Sequence, residues 1–523
     1  MNTGTSRLFA LFCLLLQAIV SNSRLQQETK AANGESRNLQ AQTIDGKLYT
    51  LPLIGAAATF VDDGTEYGKV TLWSAGMKYS FSNAPGQTWT TDFDPFTGEV
   101  TELLVVETNH DMFCPGTAQL PDGSTLITGG NSYQATTIYA PSDDPNADKR
   151  DQWREGAFMN EPRGYHSMCT LTDGRVLTMG GSWSGGEYER EAEVFDYYAP
   201  GCWPEREGCW TPRDRIVAAG TFLTTDRRGI YREDNHMWLH QAPNGMIFHS
   251  GPSMRMHWIN VDANGGTGNV IESELRNDVD QMCGSGVYID YGTILTIGGS
   301  PNYGQVSADG VTEFPTTEAH LIELPETGRE VTVRRAGNMV HRRVFHNSVA
   351  LPNGEVVVVG GQTRSVLFSD DFGVLPSEIW DPNTRTFSVL PDADLLVARN
   401  YHSVALLLKD GRIIVGGGGL CGGLCDFDTE GNHPDVQIIT PPYLKLANGN
   451  PAVRPVIVSI SPPEIFEVGK PITVSMDTNT AHTFALVRYG AATHAVNNDQ
   501  MRIPLNDVTS LGNGEFEIMI PSN

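Results

Sequence analysis

The sequence is poor in positive charge: its 523 residues include 36 Lys and Arg against 62 Asp and Glu, a formal net charge of −26. A protein that binds nucleic acid must neutralise phosphates with Lys and Arg, so this balance argues against nucleic acid as a partner. Beyond the N-terminus the sequence also lacks any run of about 18 uncharged apolar residues, so we expect no membrane-spanning helix in the mature chain. No Asn-x-Ser/Thr sequon occurs, and N-glycosylation is therefore not expected.

The N-terminus has the features of a targeting segment. Arg7 precedes the apolar run 8–20, and Ser21-Asn22-Ser23 then offers small residues for cleavage. We expect residues 1–23 to be a signal peptide and the polar residues 24–44 to be a linker or propeptide. The mature protein is accordingly expected to be secreted, soluble and monomeric.

Cysteine is also scarce, with eight residues, one of which, Cys13, lies in the expected signal peptide. The remaining seven form an odd number, so in an oxidising compartment at least one has a role other than a disulfide. Close spacing suggests two local disulfides, Cys202–Cys209 and Cys421–Cys425. The cysteines left over are Cys114, Cys169 and Cys283.

Glycine is abundant, with 55 residues, and much of it follows a repeat. A glycine, a short apolar strand and a second glycine six positions on recur from Gly123, Gly174, Gly292, Gly354 and Gly411, and weaker copies start at Gly68 and Gly245. The spacings of 55, 51, 71, 47, 62 and 57 residues are typical of propeller blades, in which each small antiparallel sheet is covered by its neighbours. The sequence therefore predicts an all-β protein with a seven-bladed propeller over residues 45–450. The alternative is a set of separate β-sandwiches in which the glycine spacing arises by chance.

The start of each inner strand is expected at the central axis of such a ring, which we call the hub. Counting back nine residues from each glycine, or ten in the longer last blade, reaches Thr59, Cys114, Tyr165, His236, Cys283, Phe345 and Tyr401. Three of these lie in similar phrases: RGYHS from Arg163, RVFHN from Arg343 and RNYHS from Arg399. Blade order makes Cys114 the plausible neighbour of Tyr165, because Cys283 lies two blades further on.

Taken singly, a buried Tyr, Cys or His is usually a core residue. Two imidazoles and two phenolates with an open position, however, would suit a tetragonal Cu(II) better than zinc or a hard cation. Copper is therefore the expected metal.

These residues belong to longer motifs that resemble the galactose oxidase family of copper radical oxidases. The motifs are MFCPG from Met112, RGY from Arg163, GGSWSGG from Gly180, DNHMW from Asp234, YHS from Tyr401, GGGGLCG from Gly416 and RYGAATHAVNNDQMRIP from Arg488. The resemblance spans about residues 50–523. The 21 residues at 24–44 are too few to form the family's N-terminal carbohydrate-binding sandwich.

The resemblance implies a copper ion and a cofactor made by the protein itself. Cys114 and Tyr165 would be joined through a thioether that makes the Tyr165 phenol easier to oxidise to a radical, and Trp183 would stack over it. Tyr165, His402 and His494 would bind copper in one plane, with Tyr401 as the axial ligand.

His494 would have to enter the hub from residues 451–523, whose strands resemble a small immunoglobulin-like sandwich. The alternative is that THAV, from Thr493, is an ordinary strand. The chain stops about two strands short of the family's last domain, so we expect this domain to be incomplete.

The implied reaction is oxidation of a primary alcohol to an aldehyde by dioxygen, which leaves as hydrogen peroxide. Tyr401 would accept the proton of the substrate hydroxyl, and the Tyr165 radical would take a hydrogen atom from the carbon that bears this hydroxyl. Galactose or a galactoside, alone or at the end of a polysaccharide, is the expected substrate. The positions that match its contacts in the family are Asp226, Tyr231, Arg232, His236 and Tyr303, with Phe81 and Phe345 as apolar walls.

One departure concerns the substrate: Gly304 follows Tyr303 where the family has Gln, with Gln305 one place later. The alternatives are the same chemistry on simple alcohols or aldehydes, as in glyoxal oxidase, and a non-enzymatic kelch-like binding propeller.

Overall fold

The computed structural model describes residues 17–19 and 45–521, except 66, 82–83, 143, 145, 182–190, 200–205, 212–235, 305–309, 421–430 and 464–465. Strands dominate this part of the chain. Its helical elements are the short turn α1 (Ala263–Gly266) and a 3-10 turn at Pro442–Leu444. Within the described residues no helix is both long and apolar enough to cross a membrane.

Seven antiparallel blades follow one another along the chain, and the first six have their strands in sequence order. Blade 1 contains β3 (Ala57–Val61), β4 (Lys69–Trp73), β5 (Thr88–Phe93) and β6 (Val100–Val105). Blade 2 contains β7 (Gly116–Gln119), β8 (Thr125–Thr128), β9 (Thr136–Tyr139) and β10 (Trp153–Glu155). Blade 3 contains β11 (Ser167–Thr170), β12 (Val176–Met179), β13 (Glu193–Asp196) and β14 (Cys209–Trp210). Blade 4 contains β15 (Trp238–Gln241), β16 (Ile247–Gly251), β17 (Arg255–Asn260) and β18 (Asn269–Leu275).

The remaining three blades complete the ring. Blade 5 contains β19 (Ser285–Asp290), β20 (Thr293–Ile297), β21 (Glu318–Glu323) and β22 (Thr332–Asn338). Blade 6 contains β23 (Val344–Ala350), β24 (Val356–Gln362), β25 (Glu378–Asp381) and β26 (Thr386–Val389). Blade 7 contains β27 (Ser403–Leu407), β28 (Ile413–Gly417) and β29 (Asp435–Ile439), and takes its outer strand β2 (Leu48–Thr50) from the N-terminal side.

The inner strands contact one another in order from β7 through β11, β15, β19 and β23 to β27, which contacts β3. The strands are buried on both faces, as the apolar runs of the sequence require: every residue of β23, β24, β27 and β28 is buried. The seven-bladed propeller predicted from the glycine repeat is confirmed.

A buried Arg ties strands together within three of the blades. Arg343 has no exposed surface, donates to the carbonyl oxygen of Gly360 over 2.7 Å and forms an ion pair with Glu378 at 2.8 Å. Arg163 and Arg399 make the corresponding contacts in blades 3 and 7. The Arg of the three similar phrases is thus a structural residue, a role that the sequence alone did not reveal.

The C-terminal segment forms a β-sandwich that packs on blades 4 and 5. One sheet contains β30 (Ile457–Ser461), β31 (Pro471–Met476), β36 (Glu515–Met519) and β35 (Val508–Gly512). The other contains β32 (Thr483–Arg488) and β34 (Met501–Leu505), to which β1 (Gln17–Ile19) and blade 5 are added. One apolar core joins the two parts, with Ile518 and Phe484 of the sandwich and Trp258 and Tyr288 of the blades. The predicted immunoglobulin-like fold is confirmed.

A short strand, β33 (Ala491–Thr493), leaves the sandwich and enters the hub. It pairs antiparallel with β3, in the register Ala57↔Thr493, and also contacts β7 and β27. The chain that follows β33 therefore emerges at the propeller axis.

Candidate metal centre

Residues at the start of the inner strands leave the regular pleat in the same way. Cys114, Tyr165, His236, Cys283 and Phe345 have φ values of 57°, 59°, 60°, 52° and 61°, in the left-handed region that non-glycine residues rarely adopt. Their backbones are linked across blades: Tyr165 N–H donates to the Cys114 carbonyl at 3.0 Å, and His236 N–H to the Tyr165 carbonyl at 3.1 Å. The counted hub positions therefore coincide with one recurring local conformation.

Two of the counted positions differ. Thr59 lies inside β3, where its hydroxyl is 2.9 Å from that of Thr125, and it does not belong to the hub. The nine-residue count fails there because the β3–β4 turn, between Val61 and Lys69, is longer than the turns of the other blades. In the last blade the left-handed residue is His402, with φ 72°, and Tyr401 precedes it. This break lets adjacent side chains reach one site, with the Tyr401 and His402 rings 4.1 Å apart between centroids.

His494 reaches the hub on a two-residue turn. The backbones of Thr493 and Val496 exchange hydrogen bonds of 3.1 and 2.9 Å, and the residues between them, His494 and Ala495, have φ values of 55° and 63°. Positive φ at both central positions defines the tight hairpin turn that normally uses Asn and Gly. Each non-glycine residue held in this region costs about 1–3 kcal/mol and persists because its surroundings fix it. THAV is therefore a hairpin tip rather than an ordinary strand.

Hydrogen bonds fix which ring nitrogen of each histidine carries the proton. His494 Nδ1 lies 2.6 Å from the hydroxyl of Thr493, which itself donates to the Ala56 carbonyl, so the imidazole is the donor. His402 Nδ1 lies 2.5 Å from the Gly419 carbonyl, which can only accept. The Nε2 atom of both rings is consequently an unprotonated lone pair, the state in which imidazole binds a metal.

These lone pairs converge with a thiol. Ligand atoms of Cys114, His402 and His494 all lie within 4.8 Å of one another, and Cys114 Sγ is 3.9 Å from His402 Nε2. His494 Nε2 is buried and has no hydrogen-bond partner among the described residues. Burial lowers the pKa of His402 to about 4 and that of His494 well below its usual range, so both rings stay neutral.

Two phenols complete the set. The Tyr165 ring lies 4.9 Å from that of His494 between centroids, and it packs against the apolar cluster that contains Cys114. The hydroxyls of Tyr401 and Tyr303 also contact each other. Burial raises the pKa of Tyr165 and Tyr401 well above the usual range, and neighbouring groups, Cys114 for Tyr165 and Tyr303 for Tyr401, add to the effect.

The residues present fit copper. Two imidazole lone pairs, one of them a buried nitrogen without a hydrogen-bond partner, and two phenol oxygens around one point form the N,O donor set that Cu(II) prefers.

Aromatic rings line this centre. Phe345 packs edge-on against Tyr401 at 5.2 Å, and Phe81, which is 36% exposed, stacks on Phe113 at 5.3 Å. His236 stacks on Tyr303 at 5.8 Å. The expected substrate positions Phe81, His236, Tyr303 and Phe345 thus lie around the centre.

Other expected residues lie outside the described part of the chain. These are Trp183, Asp226, Tyr231 and Arg232, and the cysteines Cys202, Cys421 and Cys425. The stacking of Trp183, the sugar contacts of the next three and the pairings Cys202–Cys209 and Cys421–Cys425 stay predictions.

Sequence reasoning missed two aromatic residues of the centre. Phe113 packs edge-on against His402 at 5.2 Å between ring centroids, and Phe368 against Tyr401 at 5.3 Å. Phe113 precedes Cys114 in MFCPG and could have been found there. Phe368 lies in the chain between blade strands, where no repeat position marks it.

Comparisons with known proteins identify relatives of this chain. Residues 454–523 match the family profile "Galactose oxidase-like, Early set domain". The chain is 40% identical over 487 residues to galactose oxidase from Gibberella zeae, an alignment that covers 91% of this chain and 66% of that protein. It is 28% identical over 202 residues to aldehyde oxidase GLOX1 from Arabidopsis thaliana, which covers 36% of this chain and 32% of that protein.

A solved structure is similar over nearly its whole length. It is described as a novel fungal alcohol oxidase of the AA5 family in complex with copper, and it superposes with a TM-score of 0.79 and 35% identity. The match covers 92% of this chain and 93% of that one.

Proposed function

The chain belongs to the galactose oxidase family of copper oxidases, and from that premise we propose that it is a secreted copper radical oxidase of primary alcohols. The proposed reaction converts a –CH2OH group to an aldehyde and dioxygen to hydrogen peroxide, so two hydrogens leave the substrate and two arrive on oxygen. The observation that carries the proposal is the convergence of Cys114, His402 and His494 beside the Tyr165 ring. A binding propeller without enzymatic activity would have no use for this set.

We assign copper to His402 Nε2, His494 Nε2 and the hydroxyl oxygens of Tyr165 and Tyr401, with Trp183 over the Tyr165 ring. Copper, together with an oxidised Tyr165 joined to Cys114 through a thioether, supplies the capacity to take two electrons from the alcohol. The backbone hydrogen bond from Tyr165 N–H to the Cys114 carbonyl and the packing of the Tyr165 ring against the cluster that contains Cys114 support that linkage, because they hold the two residues side by side.

Tyr401 is the proposed proton acceptor for the substrate hydroxyl. Burial, and after it the neighbouring Tyr303, raise the pKa of the Tyr401 phenol. A Tyr401 phenolate in this site would therefore take up a proton from the substrate readily. The contact between the Tyr303 and Tyr401 hydroxyls orients the Tyr401 oxygen. Phe345 and Phe368 pack edge-on against the Tyr401 ring and limit the access of water to it.

Galactose or a galactoside is the proposed substrate. His236 and Tyr303 are polar groups at the rim of the centre, while Phe81 and Phe345 are apolar walls. Asp226, Tyr231 and Arg232 would hold the sugar hydroxyls, and a missing partner for such groups discriminates strongly between sugars. The curated relative named galactose oxidase is longer: this chain spans 66% of its length.

Gly304 favours a second candidate, the same chemistry on simple alcohols or aldehydes. A glycine at this position offers no side-chain amide to a sugar hydroxyl. The relatives named alcohol oxidase and aldehyde oxidase are consistent with this candidate.

One assay separates the two candidates. Copper-loaded protein is tested for peroxide formation on galactose, glucose, glycerol and methylglyoxal, with Arg232→Ala beside the parent. A galactose enzyme loses roughly 2–4 kcal/mol of transition-state binding on galactose in the variant and little on glycerol. Equal losses on both substrates mean that Arg232 is structural, and preference of the parent for glycerol or methylglyoxal favours the second candidate. No peroxide from any substrate contradicts the enzyme itself.

Secretion has its own test. We propose that residues 1–23 are removed on export and that the mature protein is an extracellular monomer with the disulfides Cys202–Cys209 and Cys421–Cys425. The N-terminal sequence and intact mass of the protein from the culture medium of a secreting host check the cleavage.

A further inference from the structure

The segment after His494 fills the hub with polar side chains. We call Asn498, Asp499 and Gln500 the hub plug. They lie between the hairpin tip at His494 and strand β34, and Asp499 is 1% and Gln500 8% exposed. Neither the repeat nor the proposed ligand set accounts for three adjacent polar residues at the centre of a β-propeller.

Gln500 binds the inner strand of blade 6 through both ends of its amide. Its Oε1 accepts from Ala350 N–H at 3.1 Å, and its Nε2 donates to the Ser348 carbonyl at 2.9 Å. An inner strand has no neighbour on the hub side, so its edge N–H and C=O groups need partners. A side-chain amide has one donor and one acceptor group and therefore pairs with the edge as a strand would.

Asn498 binds the inner strand of blade 4 in the same way. It accepts from Leu239 N–H at 3.3 Å and donates to the Met237 carbonyl at 3.2 Å, both in blade 4. It also donates to the Met168 carbonyl of blade 3 at 3.0 Å. Asp499 accepts from Gln119 N–H of blade 2 at 3.0 Å. The hub plug thus holds four blades from one three-residue segment.

The other side of the hairpin tip is fixed as well. β33 pairs with β3 of blade 1, and the Thr493 hydroxyl donates to the Ala56 carbonyl at 3.1 Å. His494 and Ala495, in their unfavourable backbone conformation, therefore stand between two anchors, each bound to the ring. A strained turn keeps its conformation only when its surroundings over-determine it.

We propose that Asn498 and Gln500 are positioning residues for His494, which they hold at the metal centre by fixing the chain after the hairpin tip to the inner strands of blades 3, 4 and 6. They contact neither copper nor substrate. The inference rests on the proposed role of His494 as a ligand, and it concerns what keeps that ligand in place.

The test compares Gln500→Leu and Asn498→Leu with a matched control. Gln437 in blade 7 is also a buried glutamine that accepts from a backbone N–H, of Leu396 at 2.9 Å, and donates to a backbone carbonyl, of Asp394 at 2.9 Å. Gln437→Leu removes the same kind of contact away from the hub. Gln500→Glu and Asn498→Asp keep the shape and the acceptor but lose the donor, and they serve if the leucine variants do not fold.

Two measurements are made on each variant. In the metal-free protein, backbone hydrogen exchange of residues 491–496 should become at least about tenfold faster in the hub-plug variants and stay at the parental rate in Gln437→Leu. In the copper-loaded protein, Cu(II) affinity from chelator competition should fall about 10–100-fold, with altered nitrogen couplings in the electron paramagnetic resonance spectrum.

Parental exchange rates in the hub-plug variants, or the same change in Gln437→Leu, would overturn the proposal whether or not copper binds. A parent protein that binds no copper, or binds it as tightly after His494→Ala, contradicts the proposed function instead. In that case the exchange measurement still decides whether the hub plug holds the hairpin tip.

Discussion

The backbone N–H of Tyr165 donates to the carbonyl oxygen of Cys114 over 3.0 Å, so residues 51 positions apart in the chain begin neighbouring inner strands side by side. Both have positive φ, and the Tyr165 ring packs against the apolar cluster that contains Cys114. A thiol held at a phenol ring in this way needs no large movement to become attached to it.

We therefore predict a thioether between Cys114 and Tyr165 after exposure to copper and dioxygen. The S–H and a ring C–H are lost, the C–S bond forms, and dioxygen takes up the two hydrogens. Peptide mass analysis should find the two peptides joined with the loss of two hydrogens. Cys169→Ser, which removes another buried free thiol, should still form the link, and Cys114→Ser should not. Free peptides in active enzyme contradict the prediction.

Thr493→Val should weaken copper binding although Thr493 is not a ligand. The valine keeps the volume but removes the acceptor of the His494 Nδ1 proton, so Nε2 no longer stays the lone-pair nitrogen. Partners of metal-bound histidines typically contribute about 10–100-fold in affinity, and chelator competition measures it. Thr91→Val, which removes a buried hydroxyl donor in blade 1, is the control and should bind copper as the parent does. Equal affinity in all three proteins would show that the tautomer is fixed by something else.

Tyr401→Phe should retain copper and the thioether but lose about 10²–10⁴-fold in turnover, because the proton acceptor is gone. Metal content, peptide mass and kcat are measured on the same preparation. Tyr139→Phe removes a buried hydroxyl that contacts Thr71 at 3.0 Å, far from the centre, and should leave kcat near the parental value. Normal turnover by Tyr401→Phe means that another group accepts the proton.

Arg343→Met should destabilise the propeller by about 3–5 kcal/mol, because it leaves the fully buried carboxylate of Glu378 without its cation. The surface pair Arg255–Glu272 has the same 2.8 Å separation, but both side chains are more than half exposed. Arg255→Met should therefore cost only about 0–1 kcal/mol. Urea unfolding of the three proteins provides the comparison, and similar losses in both variants would argue against the buried pair as the cause.

Acid should destabilise the fold through buried histidines. Burial lowers the pKa of His110 to about 4, and its ring nitrogens lie 2.8 Å from the Thr137 hydroxyl and 2.7 Å from the Gly129 carbonyl, which suits the neutral ring. In the unfolded chain the His110 ring takes up a proton below about pH 6.5, whereas the buried ring stays neutral until about pH 4. Protonation therefore favours the unfolded chain, and the free energy of unfolding decreases as the pH falls from 6.5 towards 4. In His110→Gln the urea midpoint should fall less over this range than in the parent. The partly exposed His341 provides the control His341→Gln, and a parental slope in both variants contradicts the assignment.

The blades could be predicted from the sequence because the residue that precedes the inner strand lies a nearly constant number of positions before the turn glycine. The count of nine reaches the left-handed residue at Cys114, Tyr165, His236, Cys283 and Phe345. In the last blade it reaches His402, so the extra residue expected there, which led to Tyr401, was wrong. The count fails at Thr59, where the turn after β3 is longer.

The hairpin tip was beyond such reasoning. A turn with positive φ at both central residues is normally formed by Asn and Gly, but the chain has His494 and Ala495 at these positions. The backbone preferences of these two residues therefore argue against the turn that is observed. The family resemblance suggested His494 as a ligand. The route by which it reaches the hub depends on contacts with residues 150 to 437 positions earlier in the chain.

Blade 7 makes the order of synthesis matter. Its outer strand β2 pairs with β29 in the register Leu48↔Gln437, so a strand made near the start of translation waits for one made near the end. At about 5–20 residues per second, the ribosome needs roughly 20–80 s to make the chain between them. During that interval β2 lacks its partner strand, and blade 1 lacks the cover of blade 7 on one face. A strand without a partner and an uncovered apolar face both favour association with other chains, so export and folding have to protect them until β29 is made.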